Sequence, residues 1–167
     1  MLVGFSDGIL AALQIDTGEP LWTADLSGDK KEFLDIDEAP IVRNGTIYAA
    51  SYEGSLCFLN PQKVEFKLFS DIVSIGSFAY CDEMLYVASA AGRVVVIDAT
   101  DGEPMYALSM KERAPVDLIA TERYIIAATG DGPMYFIDRM TAYPLLKWNP
   151  SSGFSTRPIL GRKHLFA

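Results

Sequence analysis

The residues that could do chemistry in this chain are few. Asp35 and Asp37 stand on either side of Ile36 in the run Leu34-Asp35-Ile36-Asp37-Glu38. Alternate side chains of an extended segment share a side, so the two carboxylates can face one way, as a grip on a basic partner requires. The plainer reading is a solvated loop leading into the next strand. Asp98 and Asp138 form a second pair of candidate carboxylates. They recur at one position of a repeat, and a catalytic pair is not copied from unit to unit, so they are expected to brace turns. His164 is the sole histidine, which leaves no material for a Ser-His-Asp triad or a His-rich metal site. Cys57 and Cys81 lie in different repeats without a CxxC or Cys/His cluster, and are read as two free thiols rather than zinc ligands. Gly130-Asp131-Gly132 lacks the spacing of a calcium loop. Asn44-Gly45-Thr46 fits a glycosylation sequon but reads better as a tight turn. No metal, no cofactor and no catalytic residue is expected. The net charge of -8 argues against nucleic acid, which needs a basic face.

The elements that must carry these residues repeat. Gly8, Gly54, Gly92 and Gly132 each precede a short apolar strand, and six positions later stand Gln14, Asn60, Asp98 and Asp138. The intervals between the glycines are 46, 38 and 40, so insertions fall between the shared motifs. Each repeat reads as four strands. In the second, Pro40 to Val42, Thr46 to Ser51, Ser55 to Leu59 and Val64 to Phe69 serve as strands A to D, with the hairpin signal Asn44-Gly45 between A and B. Alanines at 49, 50, 88 and 127 would let neighbouring units pack closely, while Leu56, Phe58, Val94 and Tyr135 would fill the gap. Strand D, with Glu65 and Lys67, should be the wet edge. No stretch shows a sustained helical period.

Four antiparallel strands every ~40 residues predict an all-β propeller of four-stranded blades. The expected divisions are a partial blade of strands B to D over 1–26, blades over 37–69, 74–110 and 114–148, and the start of another over 155–167. About four blades fit a part of a larger ring, and both ends read as cut within a strand. Such raw ends could pair with a second copy. No run approaches the ~18 apolar residues of a membrane helix, and MLVGFSDG lacks the features of a signal peptide. Phe5, Trp148 and Phe154 are read as core or inter-blade packing.

Ala12-Leu13-Gln14-Ile15-Asp16-Thr17-Gly18-Glu19-Pro20-Leu21-Trp22 resembles the signature of the quinoprotein-like, PQQ-repeat family, and Ile97 to Glu103 repeats it with Tyr106 in the Trp place. The resemblance implies that the polar residue and Gly18 brace the C–D turn and that Trp22 docks on the next blade. The second and fourth repeats lack the glycine, which predicts C–D turns of another shape. Leu34 to Pro40, Tyr52-Glu53-Gly54-Ser55-Leu56 and Ser151 to Pro158 resemble a narrower group, the BamB lipoproteins. That likeness implies the C-terminal half of an eight-bladed ring, and a non-catalytic scaffold of outer-membrane β-barrel assembly at the periplasmic face of the Gram-negative outer membrane. The implied partner is the POTRA region of BamA, with Asp35 and Asp37 among the contacts, and the membrane link an anchor outside this sequence. The competing readings are a generic PQQ-like-repeat binding propeller and a piece of a quinone-dependent dehydrogenase.

Overall fold

Runs such as Ile47-Tyr48-Ala49-Ala50 and Val94-Val95-Val96-Ile97 put apolar side chains on both faces of a strand, which suits only strands covered on both sides. The computed structural model describes residues 1–27, 34–52, 55–69, 72, 74–110, 114–130, 132–150, 154, 158–161 and 164–166. Every regular element among them is a strand. β1 (Leu2–Gly4), β2 (Ile9–Leu13) and β3 (Pro20–Asp25) form a three-stranded sheet. β4 (Ile41–Arg43), β5 (Thr46–Ala50), β6 (Leu56–Asn60) and β7 (Glu65–Phe69) form a four-stranded one. A third holds β8 (Ile75–Cys81), β9 (Met84–Ser89), β10 (Arg93–Asp98) and β11 (Pro104–Ser109). A fourth holds β12 (Pro115–Ala120), β13 (Tyr124–Thr129), β14 (Met134–Asp138) and β15 (Pro144–Trp148), and β16 (Ile159–Leu160) pairs with β17 (Leu165–Phe166). All pairing is antiparallel between sequence neighbours, the meander of a β-propeller blade.

Two compact units result, Met1–Ile75 and Gly76–Ala167. In the first, β2, β3, β5 and β6 share a core in which Leu10, Ala49, Cys57 and Leu59 have no solvent exposure. Ala49 brings the sheets close, and the half-buried Trp22 packs on the same core. Burial pushes the Cys57 thiol up to about 12, and both cysteines are free thiols. On the opposite face of β5 and β6, Tyr48 meets Phe58 edge-on, and Phe58 meets Phe69 with ring centres 4.8 Å apart.

In the second unit the third and fourth blades share a core that includes Tyr86, Val94, Val96, Ile125 and Ala127, with Tyr135 packed against it. Polar groups also join these two blades. The Arg139 guanidinium donates to Asp82 Oδ2 of the third blade at 2.6 Å and, within its own blade, to the Glu122 carbonyl at 3.0 Å. Tyr106 Oη donates to the Arg139 carbonyl at 3.3 Å. Between the inner strands, Ser77 Oγ donates to Asp117 Oδ1 at 3.0 Å and accepts from the Leu118 N–H at 3.3 Å, all of it buried.

The outer strands are wet, as their composition requires: every residue of β15 and nearly every residue of β11 is exposed. A proline opens three of these edges. Pro20, Pro104 and Pro144 pair with Leu13, Ile97 and Ile137 beside a β-bulge, whereas Phe66 stands at the equivalent place of the second blade and no bulge occurs. Proline has no N–H to give a ladder, so a bulged edge is where it fits.

The hairpin turn at Asn44-Gly45 has positive φ at both residues, as its sequence demands. Asp82 and Glu83 form the equivalent turn of the third blade with positive φ and no glycine.

The C–D turns differ from expectation. The second and fourth repeats do not adopt another shape. In all four repeats the residue four positions after the polar one donates its N–H back to that residue's carbonyl: Gly18 to Gln14, Val64 to Asn60, Gly102 to Asp98 and Ala142 to Asp138, at 2.8–2.9 Å. All four donors have positive φ, Val64 at 54° and Ala142 at 58°. The backbone pattern outweighs the local preference, and a β-branched residue is held where glycine would be unstrained.

Candidate partner-binding site

The recurring acids face their own turns. Asp98 Oδ1 accepts from the Thr100 N–H at 2.8 Å and Oγ at 2.6 Å. Asp138 Oδ1 accepts from the Met140 and Thr141 N–H groups and from Thr141 Oγ. Asn60 Oδ1 accepts from the Gln62 N–H at 3.0 Å. In the first repeat, with Gln14 at that place, Thr17 Oγ accepts from the Glu19 N–H instead. Hydrogen bonds from Thr100 hold the Asp98 carboxyl below the usual aspartate value, and those from Thr141 do the same for Asp138. Carboxylates engaged in this way are turn acceptors. Of the repeat glycines, Gly8 and Gly92 have positive φ, and Gly8, Gly92 and Gly132 all donate to the carbonyl three residues back. Gly54 lies outside the described residues.

Asp35 and Asp37 are placed differently. Between β3 and β4, Ile36 turns into the core of the first unit and is 7% exposed. Its N–H donates to the Phe5 carbonyl at 3.3 Å, and the Tyr52 N–H donates to the Asp35 carbonyl at 3.0 Å. The segment is therefore tied to the loop after β1 on one side and to the loop after β5 on the other. Asp35 is left half-buried and Asp37 exposed.

The two tethering residues are exposed aromatics, Phe5 at 45% and Tyr52 at 39%. Phe5 was expected in the core; it follows the strand end at the B–C turn, where the side chain leaves the blade. Trp148 is likewise exposed, on the wet edge β15, with the half-buried Phe154 ring 5.7 Å away. The Ser151–Gly153 and Ser155–Arg157 stretches, the Ser27–Phe33 loop beyond Ser27, and Asp131 lie outside the described residues.

A groove of about 760 Å³ runs between β11 and β15, lined among others by Leu108, Met110, Tyr135, Ile137 and Lys147. Among the described residues its lining holds no carboxylate, histidine or cysteine. Among the described residues, no three His, Cys, Asp or Glu side chains come together to hold a metal ion.

The comparisons with known proteins point one way. The family model described as "Outer membrane protein assembly factor BamB" matches residues 1–74. The BamB of Kangiella koreensis is 22% identical over the whole chain, which corresponds to 45% of that protein. The BamB of Legionella pneumophila is 37% identical over 71 residues, 40% of this chain. The crystal structure of BamB from Moraxella catarrhalis superposes with a TM-score of 0.80 at 25% identity, covering 98% of this chain and 49% of that one. The chain is similar to BamB in sequence and has the β-propeller fold. It spans about half the length of the BamB relatives it matches. The fold is shared more widely: the Neurospora crassa Pan2 WD40 domain superposes with a TM-score of 0.73 at 16% identity, covering 92% of this chain and 47% of that one. The BamB likeness is therefore drawn from sequence and fold together.

Proposed function

We propose that this BamB-like chain is a protein-binding scaffold without a catalytic site, which serves outer-membrane β-barrel protein assembly at the periplasmic face of the outer membrane. Its partner in this reading is the POTRA region of a BamA-type subunit, and Asp35 and Asp37 are the contacts. The segments 1–26, 37–69, 74–110, 114–148 and 155–167 are read as successive blades of a larger ring.

One observation carries the proposal. Asp35 and Asp37 belong to no recurring turn of the repeat, and they sit on a segment whose backbone is tethered on both sides around a buried Ile36. Such a segment loses little conformational freedom on docking, which is what a preorganised contact needs. Two carboxylates on a segment bonded through its backbone to two residues with exposed aromatic side chains suit a basic surface, and arginine above all, because its planar guanidinium pairs with a carboxylate and stacks on a ring.

The test is a titration of purified POTRA domains against the chain, repeated at rising salt. Saturable binding that weakens as salt screens the charges supports the reading. Absence of binding, or tight stoichiometric uptake of pyrroloquinoline quinone with calcium in a parallel absorbance titration, turns it toward a different propeller function.

A further inference from the structure

Gly4 lies in β1 opposite Leu10. Its φ is not left-handed, so backbone conformation does not call for glycine there. Space does. A Cβ added at Gly4 would stand 2.5 Å from the Ile36 carbonyl oxygen, 2.5 Å from Ile36 Cγ2 and 2.6 Å from Ile36 Cβ. Real Cβ atoms do not approach so closely, and one of the three atoms is backbone, so no rotamer change relieves the clash. Gly8, four residues on, is also tight, with an added Cβ 3.2 Å from Leu34 Cβ. An added Cβ would stand 3.3 Å from Phe166 Cε2 at Gly161 and 3.4 Å from Val116 Cγ1 at Gly130, while nothing lies within 4 Å at Gly18 or Gly45. The two closest approaches, at Gly4 and Gly8, fall under one segment, the one that carries Asp35 and Asp37.

We propose that Gly4 is a positioning residue: the missing side chain on β1 is the seat against which the Ile36 backbone rests, and this contact sets where the Asp35 and Asp37 carboxylates stand. The role rests on the reading of these acids as partner contacts. A methyl group at position 4 must push the Ile36 backbone outward by most of an ångström to reach ordinary contact. That shift strains the two bonds that tether the segment, Ile36 N–H to Phe5 and Tyr52 N–H to the Asp35 carbonyl. Neither acid is altered, yet both are moved.

The experiment compares Gly4→Ala with the unaltered chain and with Gly45→Ala. The control strains a turn of positive φ in the same unit where an added Cβ meets nothing. Two quantities are read in each: hydrogen exchange of the Ile36 and Tyr52 amides, and affinity for the POTRA domains. In Gly4→Ala, exchange of both amides should quicken on the order of tenfold, and affinity should fall about fivefold. Gly45→Ala should lose stability without either change. Ile36→Ala, which removes the plug without a clash, should quicken the same two amides and serves if Gly4→Ala does not fold.

The inference is overturned if the two amides and the affinity stay unchanged in Gly4→Ala, or if Gly45→Ala weakens binding as much. Reversal of the two acids separates the layers. If it abolishes binding while Gly4→Ala does nothing, the seat is wrong and the partner reading stands. If acid reversal leaves affinity intact, the partner reading falls and takes the role of Gly4 with it, whatever the exchange rates show.

Discussion

The two units of the chain use charge in opposite ways. In Gly76–Ala167 charged and polar groups are consumed between blades: Arg139 reaches Asp82, Tyr106 reaches the Arg139 carbonyl, and Asp117 is buried against Ser77. In Met1–Ile75 the blades meet through an apolar core closed by Ile36 and Trp22, and Asp35 and Asp37 are left at the surface. Acids that recur serve their own turns, as Asp98 and Asp138 do. The difference teaches where to look for function in a repeat fold. Charge that the architecture uses says little about partners, whereas charge that it positions and does not use is available to one.

The sharpest way to break this contrast is to remove the cation of the second unit. Arg139 has a side chain only 11% exposed, with one bond across to Asp82 and one to the Glu122 carbonyl of its own blade. Arg139→Ala should destabilise the chain by about 2 kcal/mol, because it leaves partners without their donor and a gap between blades. Urea unfolding measures the loss, and POTRA affinity should be unchanged. Equal damage to binding would show that the two regions are not separable in this way.

A smaller effect, of opposite sign, is expected at the strained turn. Val64→Gly should stabilise by about 1 kcal/mol, because a β-branched residue is held at positive φ. Gly102→Val, which builds the same strain into the signature turn, should cost a similar amount. If neither variant moves the urea midpoint, the shared turn geometry does not carry the strain assigned to it.

The smallest effect is in acid. Hydrogen bonds from Ser27, Thr100 and Thr141 lower Asp25, Asp98 and Asp138 below the ordinary aspartate value. A carboxyl with a folded-state pKa below its unfolded one binds fewer protons when folded, so stability rises with pH across that range. Its contribution is complete above about pH 4 and is lost as pH falls through the lower folded-state value. The double variant Asp98→Asn with Asp138→Asn should therefore lose less stability than the unaltered chain between about pH 5 and about pH 3. An identical loss would mean that these carboxylates do not brace their turns.

Strands and blades were legible in the sequence because they follow a short period: alternating apolar runs, a glycine at each B–C turn, and a polar residue six positions on. In the second repeat β4, β5, β6 and β7 fall within a residue of the runs that predict them. The C–D turns of the second and fourth repeats were misread, because a missing glycine looks like a different turn when only local preference is weighed. Tertiary pairing holds Val64 and Ala142 in the glycine conformation regardless. The link between Pro20, Pro104 and Pro144 and the edge bulges was visible as a spacing, but its meaning needed the register. The bridge from Arg139 and the seat at Gly4 leave no periodic trace, since each joins residues far apart in sequence. At the site, the two acids stood out by spacing, whereas Phe5 and Tyr52 became its neighbours only through backbone bonds between loops.

The most direct test of the central claim is the affinity of POTRA domains for the chain carrying Asp35→Lys and Asp37→Lys, measured together with its urea midpoint. The account predicts that affinity falls at least about tenfold, roughly 1.4 kcal/mol of binding free energy, while the midpoint holds. Unchanged affinity in a folded double variant would contradict it.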